Sequence, residues 1–309
     1  MDVPVKDYRP FKGMLIRDLI KQMGEAWGFT AGKIYLGAEI LKKMVDDDRC
    51  VKFLSFPASI VATGTRGIIK EMVKKSLVDV IITTCGTLDH DVARSWRSYY
   101  RGVFRVDDKE LHRRGINRIG NILVPNESYG LIIEEKVNVL LNDLWAEGVK
   151  EISSREFCWE IGRRICNENS ILYWASKNRI PVYVPSLTDG AVGYQLWLFS
   201  QDHQFKINVL RDEAELNDII FNAERTGALI IGGGVSKHHT IWWNQFKGGL
   251  DYAIYITTAV EWDGSLSGAR VQEAISWGKV KEEAKYVNIE GDATVILPLI
   301  TIPLLTGEA

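Results

Sequence analysis

Lys279 is the side chain in this sequence that its neighbours best equip for chemistry. It stands next to last in the run DGSLSGARVQEAISWGKV, just after Gly278 and two residues beyond Trp277. Val271 to Trp277 is good helix material, and Gly278 suits a left-handed cap because glycine adopts positive φ cheaply. A lysine just past such a cap leaves the helix flank and can turn its amine into a site. Aromatic and backbone walls disfavour the charged form, and a neutral lysine amine attacks imines and carbonyls. Glu273 and Trp277 stand four apart and share a helix face. A carboxylate and an indole there suit a cationic amine. A surface lysine after a capped helix also fits this segment when it is taken alone.

Other segments carry weaker signals. Gly232, Gly233 and Gly234 follow an apolar run and precede helical sequence. Such a turn lets the backbone approach a phosphate at a helix N-terminus. It matches neither G-x-G-x-x-G nor the phosphate-loop pattern, so a turn for tight packing fits equally well. His238 and His239 are adjacent and diverge along a helix start, which argues against shared metal ligation. Asp89, His90 and Asp91 could suggest a metal, but no further ligands are suitably spaced, and no metal is expected. The string Gly264-Ser-Leu-Ser-Gly268 is not the G-x-S-x-G elbow of hydrolases.

These residues need a scaffold, and the composition supplies one. The chain has 309 residues, 46% hydrophobic and 25% charged, which is enough for a large core. Its net charge of −2 argues against a general nucleic-acid or membrane-surface binder. Cys50, Cys85, Cys158 and Cys166 show no C-x-x-C pair, which suits a reduced, cytoplasmic protein. The N-terminus has no apolar core of signal-peptide type. The run TVILPLITIPLL is too short to span a membrane and reads as a buried terminal helix or strand.

Strand and helix patterns alternate. Arg17 to Asp48 reads as helical with a break around Gly28 to Gly32. Strands are expected at Val51–Ser55, Val78–Thr83, Pro181–Val184, Lys206–Leu210, Ala228–Ile231, Tyr252–Ile256 and Tyr286–Ile289. Helices are expected between them, among them His90–Tyr100, Asp212–Arg225 and His239–Phe246, and Ser153 with Glu156 forms a capping box before another. This rhythm implies a mostly parallel sheet covered on both faces, with ligands at the carboxyl ends of the strands. TTCG, PSLTDG, GGGVSKHH and TTAVEWDGS fall there.

Taken in order, several blocks resemble the deoxyhypusine synthase family, in its archaeal type. They are VDVIITTCG, INRIGNILVPNESY, WASKNRIPVYVPSLTDG, ALIIGGGVSKHH, DYAIYITTAVEWDGS, the lysine segment and GDATVILPL, within Val51 to Leu299. The resemblance implies an α/β fold with a Rossmann-like, mostly parallel sheet and helices on both faces. It implies a single domain over residues 1–309, with a helical N-terminal segment of about 50 residues. The implied activity is an NAD-dependent transferase of hypusine biosynthesis. It moves the aminobutyl group of spermidine, or a related polyamine, through an enzyme-lysine imine to a lysine of translation initiation factor 5A. A homotetramer with NAD sites at a dimer interface is also implied.

Residue by residue, Lys279 matches the covalent lysine, with Lys237 the other candidate, and His238 matches a proton carrier. Substrate contacts are implied at Asp89, Tyr255, Gly264, Ser265, Glu273 and Trp277. Cofactor contacts are implied at Ser59, Thr84, Cys85, Gly86, Asp189, Gly233, Thr258, Ala259, Asp292 and Ala293. The chain departs from the family in reading ASIVA at Ala58 to Ala62, where SNLIS is usual. His90, Tyr194 and Leu266 each replace an acid. Two other readings remain open: transfer to a free diamine, as in homospermidine synthase, and a non-catalytic NAD-binding paralogue.

Overall fold

A computed structural model describes residues 3–308. The described chain divides into two compact units. The first comprises residues 3–56, 75–80 and 216–308, and the second residues 57–74 and 81–215.

The first unit carries four parallel strands. Their order is Val280–Glu290, Leu250–Thr257, Arg225–Ile231 and Cys50–Ser55. Arg225–Ile231 and Leu250–Thr257 are mostly apolar and almost entirely buried, as parallel strands covered on both faces must be, whereas Val280–Glu290 carries charged residues and is only partly buried. One face receives the helix Phe29–Val45, where Gly37 packs against Val287 and Ile289. The other face is read from the alternation of side chains along a strand. Asn288, between those two, accepts a hydrogen bond from the Val271 N–H and so holds the short helix Val271–Ser276. Tyr255 is the register partner of Asn288 and shares its face. The terminal apolar run forms the helix Ala293–Thr306, which contains Pro298 and Pro303 and is capped by Asp292.

The second unit holds a parallel pair in which Ile81 and Ile82 meet Val182 and Tyr183. Around it pack Cys85–Trp96, Gly130–Ala146, Ser154–Ile165, Ile171–Lys177 and Ala191–Asp202. Ser153 and Glu156 make the expected capping box. A separate three-stranded antiparallel sheet has Ile122–Pro125 at its centre, between Tyr100–Arg101 and Ile116–Ile119.

The α/β class with a parallel sheet is therefore found, but several expected boundaries move. The helical N-terminal segment breaks at Trp27 and Gly28, and Gly32 lies inside the second helix. The helix expected from His90 begins at Cys85, because the Thr84 backbone is extended and the following amides enter the helix at once. The helix expected from His239 begins at Gly234, straight after the glycine turn. The stretch expected as a strand at Lys206–Leu210 is only Lys206–Ile207. It pairs with Glu151–Ile152 in a small separate sheet, and helix starts at Val209. That helix ends at Asn222, so Arg225, expected to be its last residue, opens the next strand. The last strand is much longer than Tyr286–Ile289, because the chain enters it directly from Lys279.

Candidate functional site

The residues around Lys279 are brought together within the first unit. The helix Val271–Ser276 stops at Trp277, and Gly278 takes φ +67°, a conformation that a side chain would strain. The Lys279 N–H donates to Ala274 O, and the Lys279 carbonyl accepts from the Leu250 N–H. The backbone is therefore pinned on both sides, just past the end of the helix. The Lys279 ammonium lies 5.2 Å from the centroid of the Trp277 ring. Trp277 is itself 62% exposed, so the indole forms an open wall.

His238 stands on the helix Gly234–Gln245, its ring stacked against Trp242. Partial burial lowers its pKa, and the nearby Lys279 cation lowers it further. His238 is thus a neutral acceptor at neutral pH, within electrostatic reach of the lysine amine.

Lys237, the alternative nucleophile, has a different setting. Only 1% of it is exposed. Its amine donates to Leu266 O and Ala269 O, each at 2.7 Å, and lies 4.1 Å from the Tyr255 ring centroid. Burial lowers its pKa to about 8, against the opposing pull of Glu273. With two donors committed to backbone carbonyls, Lys237 fastens the loop that carries Gly264 and Ser265. Gly233 reinforces that docking, since a Cβ there would fall 2.3 Å from Ser267 Oγ. Tyr255 is 2% exposed, and its hydroxyl has no partner among the described residues. Glu273 is close enough to raise the Tyr255 pKa further, after burial, and to act on Lys237. An orphaned phenol beside a carboxylate suits a bound amine.

The expected cofactor residues occupy both units. In the first, Gly233, Thr258 and Ala259 lie at the carboxyl ends of the strands Arg225–Ile231 and Leu250–Thr257. Arg270 donates to Ala259 O and pairs with Glu261, which orders the loop. Asp292 caps the last helix, with one oxygen accepting from the Thr294 N–H and Ala293 following it. In the second unit, Thr84, Cys85 and Gly86 form the entry to the helix Cys85–Trp96. The Cys85 side chain is buried, and burial pushes its thiol pKa up, so only its backbone is available to a ligand. Asp189 and Ser59 are exposed.

Each unit, taken by itself, offers one helix N-terminus of the kind that meets a phosphate. No side chain caps the helices Cys85–Trp96 and Gly234–Gln245, so their first amides are free to meet phosphate oxygens. Gly234 has φ +67° and open space where a side chain would stand.

The Asp89-His90-Asp91 cluster is structural in large part. Asp89 is 1% exposed and accepts from Tyr129 Oη, Ala191 N–H and Val192 N–H, capping the helix Ala191–Asp202. Asp91 pairs with Arg66 at 2.7 Å and caps the helix Ile171–Lys177 through Ile171 and Leu172. His90 meets Tyr99 Oη at 2.9 Å, and burial lowers its pKa to about 4. Sequence reasoning missed Asn288 and Arg270 as supports. Each acts through a long-range contact that no local pattern announces.

Comparisons with known proteins show which family the sequence is similar to. The family model described as deoxyhypusine synthase matches residues 18–303. A protein of Picrophilus torridus named a probable deoxyhypusine synthase is 61% identical over 303 residues, covering 98% of this chain and 97% of that protein. A Thermoplasma acidophilum protein of the same name is 57% identical with the same coverage. Among solved structures, a candidate deoxyhypusine synthase from Entamoeba histolytica superposes with a TM-score of 0.66 at 19% identity, over 96% of both chains. That likeness concerns the fold.

Proposed function

The chain belongs to the deoxyhypusine synthase family, and on that premise we propose that it transfers the aminobutyl group of spermidine to one lysine of translation initiation factor 5A. The observation that carries this reading is Lys279, pinned by its backbone, free at its amine, and flanked by Trp277 and His238. NAD, when bound, supplies the acceptor and later the donor of the electron pair exchanged with the amine. The chain's residues do the rest. Glu273, the Tyr255 hydroxyl and the Trp277 face hold the cationic polyamine, with Gly264 and Ser265 at the loop edge. His238 takes the proton that the amine loses on oxidation to the imine. Lys279 Nζ attacks the imine carbon and diaminopropane leaves, giving a butylimine on Lys279. The acceptor lysine attacks the same carbon, Lys279 departs, and reduction of the new imine completes the transfer.

Lys237 is the weaker nucleophile candidate, because its amine is already engaged by two carbonyls. Asp89 is the proposed amine contact with the least geometric support, because both its oxygens already accept hydrogen bonds. The cofactor contacts proposed are Ser59, Thr84, Cys85, Gly86, Asp189, Gly233, Thr258, Ala259, Asp292 and Ala293. We further propose a cytoplasmic homotetramer with NAD sites at a dimer interface. Among the described residues no helix is long and apolar enough to cross a membrane.

The test is intact-protein mass after incubation with NAD and spermidine and trapping with borohydride. A butylamine-sized adduct on Lys279 supports the reading, and addition of the translation factor or of putrescine then identifies the acceptor. The second acceptor has one specific motive: His90, neutral through its low pKa, and Leu266 stand where the family has acids. An adduct with another polyamine only would mean a changed donor, and none with any amine would mean a non-catalytic NAD-binding protein.

A further inference from the structure

Residues Ala58–Ala62 form a short 3-10 helix that buries Ile60, Val61 and Ala62 and leaves Ser59 exposed. So short a 3-10 turn has weak internal hydrogen bonding and needs outside support. That support reaches its carbonyls. Ile60 O accepts from Thr63 Oγ1 at 2.7 Å and from Thr65 Oγ1 at 2.9 Å. Val61 O and Thr63 O each accept from Arg94 Nη1 at 2.6 Å.

Arg94 lies on the helix Cys85–Trp96, about two and a half turns after its start. The first turn of that helix touches the same segment, since a Cβ at Gly86 would fall 2.8 Å from Ala58 Cβ. One helix therefore grips the segment at two places, through Gly86 at Ala58 and through Arg94 at Val61 and Thr63. The guanidinium is half-buried and lies 5.7 Å from the centroid of the Tyr99 ring. It keeps its charge throughout the useful pH range and donates in a fixed plane.

We propose that Arg94 is a positioning residue for cofactor binding. It fixes Ala58–Ala62 so that Ser59 stands in register with Thr84, Cys85 and Gly86. This inference rests on the reading above, in which those residues contact NAD. Ala58 and Ala62 lack the hydroxyls that SNLIS-type segments carry, so Ser59 and the backbone remain to make the contact. Arg94 itself touches neither substrate nor cofactor.

The experiment measures NAD affinity by titration calorimetry on the whole 309-residue chain, with Arg94→Met, Arg94→Lys, Ser59→Ala and the Arg94→Met/Ser59→Ala double variant beside the wild type. Hydrogen exchange over residues 58–66 is followed with and without NAD. Arg94→Met weakens NAD binding about tenfold, the effect of one lost charge-assisted hydrogen bond. It leaves turnover at saturating NAD and the polyamine KM near wild type. Arg94→Lys recovers much of the affinity, and Ser59→Ala adds little once Arg94 is gone. Exchange over residues 58–66 of free Arg94→Met rises, and NAD slows exchange there in the wild type.

Unchanged NAD affinity in Arg94→Met overturns the proposal, as does a turnover loss that saturating NAD does not relieve. Should Arg94→Met not fold, the wild-type exchange decides, and no NAD protection over residues 58–66 overturns the proposal. A wild type that binds no NAD removes the cofactor reading itself, which is a different failure from a wild type that binds while Arg94→Met binds equally well.

Discussion

The Lys279 ammonium and the Trp277 indole face each other across the cap made by Gly278, 5.2 Å from nitrogen to ring centroid. The contact exists because the helix stops at Ser276 and the next strand begins at Val280. Had the helix continued, Lys279 would have lain along its flank. The stop sets the direction of the amine, and the exposed indole gives a cationic intermediate one face to rest on.

Lys279→Ala removes the side chain proposed to carry the covalent intermediate. Aminobutyl transfer should be lost while NAD binding stays within about twofold of wild type, a negligible free energy. Borohydride trapping should give no adduct. Transfer retained in this variant would move the covalent role to Lys237.

The same substitution should be felt at His238. Burial and the Lys279 cation both hold the His238 pKa below its ordinary value. Removing the cation leaves only the burial effect, so the pKa rises toward the ordinary value. Histidine resonances followed by NMR across pH 5–8 would report this. An unmoved His238 titration would mean that the two groups do not communicate.

Lys237→Met tests a structural lysine. The variant leaves Leu266 O and Ala269 O without their donor and should cost about 2 kcal/mol of stability. The loop carrying Gly264 and Ser265 should loosen, raising the polyamine KM more than it changes NAD affinity. The pH dependence has a definite sign. The folded pKa, about 8, is below the ordinary lysine value of 10.5, so between these values the unfolded chain binds more protons. Stability of the wild type relative to Lys237→Met should therefore rise with pH across that window. Denaturation curves at pH 8 and pH 10 would show it, and an equal pH response in both proteins would refute it.

Asp91→Ala should be among the most damaging changes in the second unit. It strands Arg66, whose side chain is 7% exposed, and uncaps the helix Ile171–Lys177. Breaking a buried pair in this way costs about 3–5 kcal/mol. Circular dichroism melting should show a large loss of stability. A stability near wild type would mean that the pair contributes little.

The local order of elements was legible in the sequence because it rests on short-range physics. Alternating apolar runs and helical stretches determined the α/β class, Gly278 announced the stop before Lys279, and Ser153 with Glu156 announced a capped helix. The resemblance carried by SWGK and GGGVSKHH pointed to the family that the relatives share. Tertiary structure decided what each polar group does. Lys237 and Lys279 are both lysines beside glycine-bearing turns, and only folding buried one amine between two carbonyls and left the other free. Asp89 and Asp91 read as a possible ligand pair, yet each is consumed in capping a helix more than seventy residues away in sequence. Sequence spacing encodes periodicity and caps, whereas burial and pairing depend on which distant strands and helices meet. Those meetings give Lys237, Asp91 and Arg94 their roles.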